Sequence, residues 1–214
     1  MDNDIIKLLN FIDKDIEIAY TASCEGTKLF LSGKDKELLT STLETIRQEI
    51  GFQALPIGET LLAPYVVKQL IDKNITFCTA ESCTGGLASS LVTDIAGSSE
   101  YLVGSAVTYT NEAKHKLLEV QETTLTSYGA VSEQTACEMA QGVRKLFGSD
   151  FGVGITGNAG PGGSEGKPVG LVYIAVATGE EVYCKEYLFT SNRIENKLRI
   201  ALTAISMVID KLSE

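Results

Sequence analysis

The feature that most constrains this chain is an alternation that begins near Thr60, where short apolar or β-branched runs are separated by stretches of helical periodicity. Ile75 to Thr79, Leu102 to Tyr109 and Phe151 to Thr156 read as strands, and the segments between them read as helices. Helical crossovers between strands of one sheet are right-handed, so these three strands are expected to run parallel. Val169 to Thr178 follows through a glycine-rich loop, and Gly179-Glu180 makes a tight turn with glycine first, so Glu181 to Phe189 should pair antiparallel with it. The expected fold class is α/β: a three-layer α/β/α architecture around a five-stranded mixed sheet ordered 2-1-3-4-5, with strand 4 antiparallel. Ligands of such sheets bind outside the carboxyl ends of the strands at the switch point, here between strands 1 and 3.

Capping residues divide the rest of the chain. Leu61 to Lys73 is an amphipathic helix with Pro64 in its first turn, and Gly85 to Ile95 is a helix ended by Gly97. Asn111 is expected to cap Glu112 to Leu118, Ser132 to cap Glu133 to Phe147 ahead of Gly148, and Ser191 to cap a last helix from about Asn192 to Leu212. Residues 1–58 read as a separate small α+β domain, with strands at Asp15 to Ala22, Thr27 to Ser32 and Phe52 to Ile57 and a helix from Lys34 to Ile50 stopped by Gly51. That domain offers no glycine-rich loop and no titratable cluster. A structural or dimerisation role is expected of it, and the chemistry is expected in residues 59–214.

Charge and residue counts exclude several classes of function. A formal net charge of −10 opposes general binding to nucleic acid or to an anionic membrane surface. No apolar run approaches the roughly 20 residues of a membrane span, and the first residues lack the basic start of a signal peptide. A cytoplasmic protein is therefore expected. The five cysteines are odd in number and lack CxxC spacing, which suits free thiols in a reducing compartment. One histidine, His115, leaves little room for a Ser-His-Asp triad or a histidine-rich metal site, so any hydrolytic base should be lysine, tyrosine or carboxylate.

One stretch gathers the groups that could do chemistry: Thr79-Ala80-Glu81-Ser82-Cys83-Thr84-Gly85-Gly86. With Thr84 available as helix cap, Ser82 can project as a nucleophile, and free N–H groups at the helix start can hold an oxyanion. Cys83 is the alternative nucleophile, because a helix N-terminus lowers a thiol pKa. Lys114 is expected in a helix first turn, where the dipole depresses its pKa and suits it to act as a base. His115 points about 100° away and reads as a bystander. Tyr109, at a strand end, can donate to Ser82 or Lys114, and Glu81 can orient a substrate amide or position Lys114. Thr156 to Pro168 forms a glycine-rich loop whose successive N–H groups can make an anion nest. Arg193, at the start of the last helix, is a further anion partner.

Taken together, Ala80 to Gly86, Ala96 to Ser99, Tyr109 to Lys114, Gly129 to Ser132, and Thr156-Gly157 through Gly160-Pro161 to Lys167-Gly170 resemble the C-terminal domain of the CinA family, the nicotinamide-nucleotide amidohydrolases. The resemblance covers about Leu61 to Leu212. It implies hydrolysis of the carboxamide of nicotinamide mononucleotide to nicotinic acid mononucleotide and ammonia, with no metal and no cofactor. Carried over, Ser82 is the nucleophile, Lys114 its base and Tyr109 an assisting hydroxyl. Substrate contacts are implied for Glu81, Cys83, Thr84, Gly85 and Gly86, where the backbone from Cys83 to Gly86 holds the oxyanion. Others are implied for Asn111, Thr156, Gly157, Ala159, Gly160, Gly163 and Arg193, with Gly157 to Gly163 holding the nucleotide. A homodimer is also implied. Asn158 stands where the family usually has an apolar residue, and the loop before Lys167 is about one residue shorter than is typical. A nucleotide-binding module without turnover, or an amidase for another small carboxamide, are the alternatives.

Overall fold

The computed structural model describes residues 12–23, 26–50 and 61–212, and the chain divides into two compact units between Leu61 and Leu62. In the first unit β1 (Glu17–Ser23) and β2 (Gly26–Ser32) pair antiparallel, with Glu17 opposite Ser32 and Ala19 opposite Phe30. Helix α1 (Lys36–Ile50) follows, capped by Asp35, whose carboxylate accepts from the N–H of Glu37 and Leu38. The expected strand at Phe52 to Ile57 and the stop at Gly51 lie outside the described residues.

The second unit contains α2 (Leu62–Asp72), β3 (Phe77–Glu81), α3 (Leu87–Thr93), β4 (Leu102–Val107), α4 (Asn111–Leu118), α5 (Glu122–Ser127), α6 (Glu133–Phe147), β5 (Phe151–Gly157), β6 (Leu171–Ala177), β7 (Val182–Leu188) and α7 (Arg193–Leu212). Its sheet runs β4-β3-β5-β6-β7, with β3 parallel to β4 and β5 and with β5-β6 and β6-β7 antiparallel. This is the expected 2-1-3-4-5 mixed sheet. Strand β3 is buried along its whole length, as befits a strand with neighbours on both sides and helices on both faces.

Alternation along the strands sorts the core into two layers. Phe77, Val153, Ile155, Val172, Ile174 and Val176 pack with α2, α3 and α7 on one face. Cys78 and Ala80 meet Leu118, Met139 and Val143 of α4 and α6 on the other. Helix α6 lies so close to β5 that a Cβ on Gly152 would stand 2.2 Å from the Ala140 carbonyl oxygen, and one on Gly154 2.3 Å from that of Ala136. Two glycines in buried β5 are therefore the seat of α6, beside the strand β3 that leads to Ser82.

Several boundaries differ from the sequence reading. Strand β3 continues through Glu81, two residues beyond the expected end, because its ladder to β4 and β5 persists to the last apolar cover. Helix α3 starts at Leu87 rather than Gly85, since Gly85 and Gly86 take φ of 66° and 95°. Thr110, not Asn111, caps α4 by accepting from the N–H of Ala113, and Asn192, not Ser191, caps α7 by accepting from Ile194 and Glu195. Ser132 and Gly148 bracket α6 as expected. The short helix α5 has too little periodicity to announce itself.

Candidate active site

Strand β3 ends at Glu81 and delivers Ser82 to the sheet edge, where the Ser82 N–H donates to the Ile155 carbonyl of β5 at 2.9 Å. Beyond the adjacent strand, β4, the chain turns through Thr108 to Thr110 into α4, and Lys114 reaches back from its fourth residue. The Lys114 Nζ donates to Ser82 Oγ at 3.0 Å and to the Thr108 carbonyl at 2.9 Å. Ser82 is 8% exposed and Lys114 1% exposed. Burial lowers the Lys114 pKa from 10.5 to about 8, against partial opposition from Cys83 and Glu165 nearby. Desolvation, rather than the helix dipole expected from the sequence, is thus the larger cause of the depression. A hydroxyl and an amine that can be neutral near physiological pH lie within one hydrogen bond of each other.

Cys83 is unsuited to replace Ser82. Burial pushes its thiol up to about 12, with Glu81 adding to the rise, so the thiolate is scarce at neutral pH. His115 faces elsewhere: its Nδ1 lies 2.8 Å from the Val120 carbonyl, and its Nε2 is 3.7 Å from Glu122.

Glu81 has a different task from the one expected. It is fully buried, and its two carboxylate oxygens accept from the N–H of Gly86, Ala88 and Ser89 at 2.9 to 3.1 Å and from Thr79 Oγ1 at 3.2 Å. The carboxylate caps α3 from the preceding strand and neutralises the positive end of its dipole. Its lone pairs are committed to the fold rather than to a substrate. Thr84, the expected cap, makes no such bond, and its Oγ1 and that of Thr108 are buried with no hydrogen-bond partner among the described residues. The oxyanion expectation narrows in the same way. Gly85 donates back to the Ser82 carbonyl at 3.2 Å and Gly86 to Glu81, which leaves Cys83, whose N–H meets its own thiol, and Thr84 as the N–H donors of the turn with no bond to another described residue.

Tyr109 stands at the rim. It is 59% exposed, and its hydroxyl accepts from Arg193 Nη2 at 3.0 Å rather than meeting Ser82 or Lys114. Arg193 also donates through Nη1 to the Gly160 carbonyl, so α7 ties the glycine-rich loop to the end of the β4 connection. Asn111 is exposed on the first turn of α4. Thr156 is buried, donating to the Ala130 carbonyl at 2.6 Å, and the Ala159 carbonyl accepts from the buried Asn196 at 3.1 Å.

Asn158 closes the loop on itself. Its Oδ1 accepts from Ser164 Oγ at 2.6 Å, while its Nδ2 lies 3.4 to 3.5 Å from the carbonyls of Ser164, Lys167 and Pro168. Glu165 then accepts from the N–H of Ala130 and Val131 at 2.8 and 3.2 Å, and Lys167 donates to the carbonyls of Tyr128 and Val131 at 2.6 Å each. Gly163 is seated where a Cβ would come within 2.5 Å of the Lys167 carbonyl. The Asn158 amide thus ties the loop to itself from within. The roles of Glu81, Asn158, Glu165 and Lys167 had only one sequence signal among them: a carboxylate just ahead of a helix that begins without Ser, Thr, Asp or Asn at its cap. Among the described residues no His, Cys, Asp and Glu side chains converge in a group of three or more fit for a metal ion, and no helix is long and apolar enough to cross a membrane.

The fold and the site define a class of α/β protein: a doubly wound mixed sheet with a buried, hydrogen-bonded serine–lysine pair at its switch point. Residues 59–212 match the CinA C-terminal domain, and the chain belongs to the CinA family. A CinA-like protein of Syntrophomonas wolfei is 42% identical over 198 residues, covering 92% of this chain and 46% of that protein. One from Desulforapulum autotrophicum is 51% identical over 142 residues, covering 65% of this chain and 34% of that protein. The chain thus spans less than half the length of these curated relatives. Among solved structures, the competence/damage inducible protein CihA of Agrobacterium tumefaciens superposes with a TM-score of 0.68 at 42% identity, covering 72% of this chain and 94% of that one. A CinA superfamily protein of Klebsiella pneumoniae gives 0.70 at 32% identity, covering 71% of this chain and 96% of that one.

Proposed function

We propose that this chain hydrolyses the carboxamide of nicotinamide mononucleotide to nicotinic acid mononucleotide and ammonia. The observation that carries the reading is the 3.0 Å contact between Lys114 Nζ and Ser82 Oγ, both buried, with the lysine pKa brought down to about 8. Neutral Lys114 takes the proton of Ser82 as Oγ attacks the carboxamide carbon. The carbonyl oxygen becomes an oxyanion, for which the Cys83 and Thr84 N–H groups are the donors at hand. Protonated Lys114 then returns its proton to the departing nitrogen, ammonia leaves, and an acyl-Ser82 ester remains. Water attacks the ester with Lys114 again as base, which gives the carboxylate and restores the serine. The positive pyridinium ring of the substrate makes its amide carbon a better electrophile, which suits an uncharged nucleophile in a buried site. Tyr109 serves the rim of the site with Arg193 and takes no proton-transfer role.

The test is ammonia release from nicotinamide mononucleotide by the purified chain and by its Ser82→Ala variant. Release by the parent and its loss, by about three orders of magnitude or more, in a folded Ser82→Ala variant is the expected result. Comparable release by the variant would exclude Ser82 as nucleophile.

A further inference from the structure

We propose that Lys197 is the residue by which this chain recognises the phosphate of its substrate, a pyridinium ribonucleotide monoester. The inference deepens the proposed hydrolase reading and rests on it for the identity of the substrate. The chain has 28 carboxylates against 18 lysines and arginines, and Lys116 pairs with Glu112, Lys145 with Glu119, Lys167 with Glu165 and Lys211 with Glu181, while described cations without such a partner, such as Lys34, Lys36 and Arg199, are exposed. Lys197 is half-buried, and its side chain has no hydrogen bond or ion pair with any described residue. Its Nζ lies 3.7 Å from the position of a Cβ on Gly85. Gly85 donates to the Ser82 carbonyl and closes the turn that carries the nucleophile, so the ammonium stands over that turn.

Neighbouring groups make this placement selective. Arg193 lies one turn earlier on the same face of α7, but its guanidinium is engaged with the Gly160 carbonyl and the Tyr109 hydroxyl. The start of α3, otherwise a place for a phosphate, is occupied by the Glu81 carboxylate, which holds three of its N–H groups. Among the described residues, that leaves Lys197 as the half-buried positive charge beside the turn whose side chain is uncommitted, in a chain whose overall charge repels anions. A partly desolvated ammonium without a counter-ion is unfavourable in the free protein, and an anion that docks against it relieves that cost. With the carboxamide at Ser82, the proposed contact requires the ribose phosphate to extend across the Gly85 turn to Lys197.

The experiment measures, by calorimetry, the binding of nicotinamide mononucleotide and of its dephosphorylated riboside to the Ser82→Ala chain. The same pair of ligands is then measured on that chain carrying in addition Lys197→Gln or Lys197→Arg. While Lys197 is retained, the mononucleotide should bind more tightly than the riboside. The Lys197→Gln change should reduce that preference about 10- to 100-fold, as loss of a charge-assisted contact does, and Lys197→Arg should restore most of it. An unchanged preference in Lys197→Gln overturns the inference, as does equal binding, or no binding, of the two ligands by the chain that retains Lys197. Ammonia release by the parent chain is scored separately. A fallen preference without release refutes the hydrolase and keeps the phosphate contact; release with an unchanged preference does the reverse.

Discussion

Replacing Lys114 with methionine separates the cost of burying this amine from everything else at the site. In the folded chain Lys114 releases its proton near pH 8, against 10.5 for an ordinary lysine, because a side chain 1% exposed has little water around its charge. Between those two values the unfolded chain holds more protons than the folded one, so stability rises with pH and the penalty is full below pH 8. Each tenfold change in proton affinity is worth about 1.4 kcal/mol, so the penalty at pH 7 is about 3 kcal/mol, and roughly 2 to 3 kcal/mol of it disappears between pH 7 and pH 10. Methionine matches the stem of lysine and cannot titrate. It forfeits the bonds to Ser82 and to the Thr108 carbonyl, which offsets part of the gain at neutral pH. The difference in slope is the clean signature, because all other ionisable groups are common to both chains. Urea unfolding at intervals from pH 7 to 10 should show the parent gaining those roughly 2 to 3 kcal/mol relative to Lys114→Met, while the variant releases no ammonia. Parallel stability curves would mean that Lys114 is not buried as a shifted amine, and the base assignment would lose its physical footing.

Other substitutions probe the supports of the site. Glu81→Gln exchanges a carboxylate that accepts three backbone N–H bonds for an amide whose nitrogen cannot accept, and should cost about 2 to 3 kcal/mol in denaturant unfolding as well as slowing turnover. Gly154→Ala drives a methyl into backbone 2.3 Å away on α6 and should destabilise the chain by about 1 to 3 kcal/mol, or more if the helix cannot shift. Asn158→Ala removes the internal fastening of the glycine-rich loop and should raise KM more than it lowers kcat, with hydrogen exchange of residues 159–168 accelerated. With Lys114 as the base, kcat/KM should rise with pH to a midpoint near 8, and Tyr109→Phe should leave that midpoint in place because its hydroxyl bonds Arg193 instead of the dyad.

Much of this was legible in the chain itself. The alternation of strand and helix, the tight Gly179-Glu180 turn and the caps at Ser132 and Gly148 are local signals, so sheet order and strand directions followed from them. Ser82 and Lys114 stood out as candidates because each lies at an element end facing the switch point, and the family resemblance joined them as nucleophile and base. What local signals could not carry was how each hydrogen-bonding group would be used. The sequence pointed to Thr84 as the cap of α3 and to a substrate or Lys114 for Glu81, and only the extension of β3 to Glu81 put that carboxylate in line with three N–H groups. Tyr109, a plausible relay on paper, is drawn outward by Arg193, 84 residues away. Lys197 has no motif to mark it; its place beside the turn after β3 comes from the packing of α7. Periodicity and capping act over a few residues and are written in the sequence. Burial, which sets the pKa of Lys114, and competition for hydrogen-bond partners, which decides what remains for a substrate, exist only once the layers have closed.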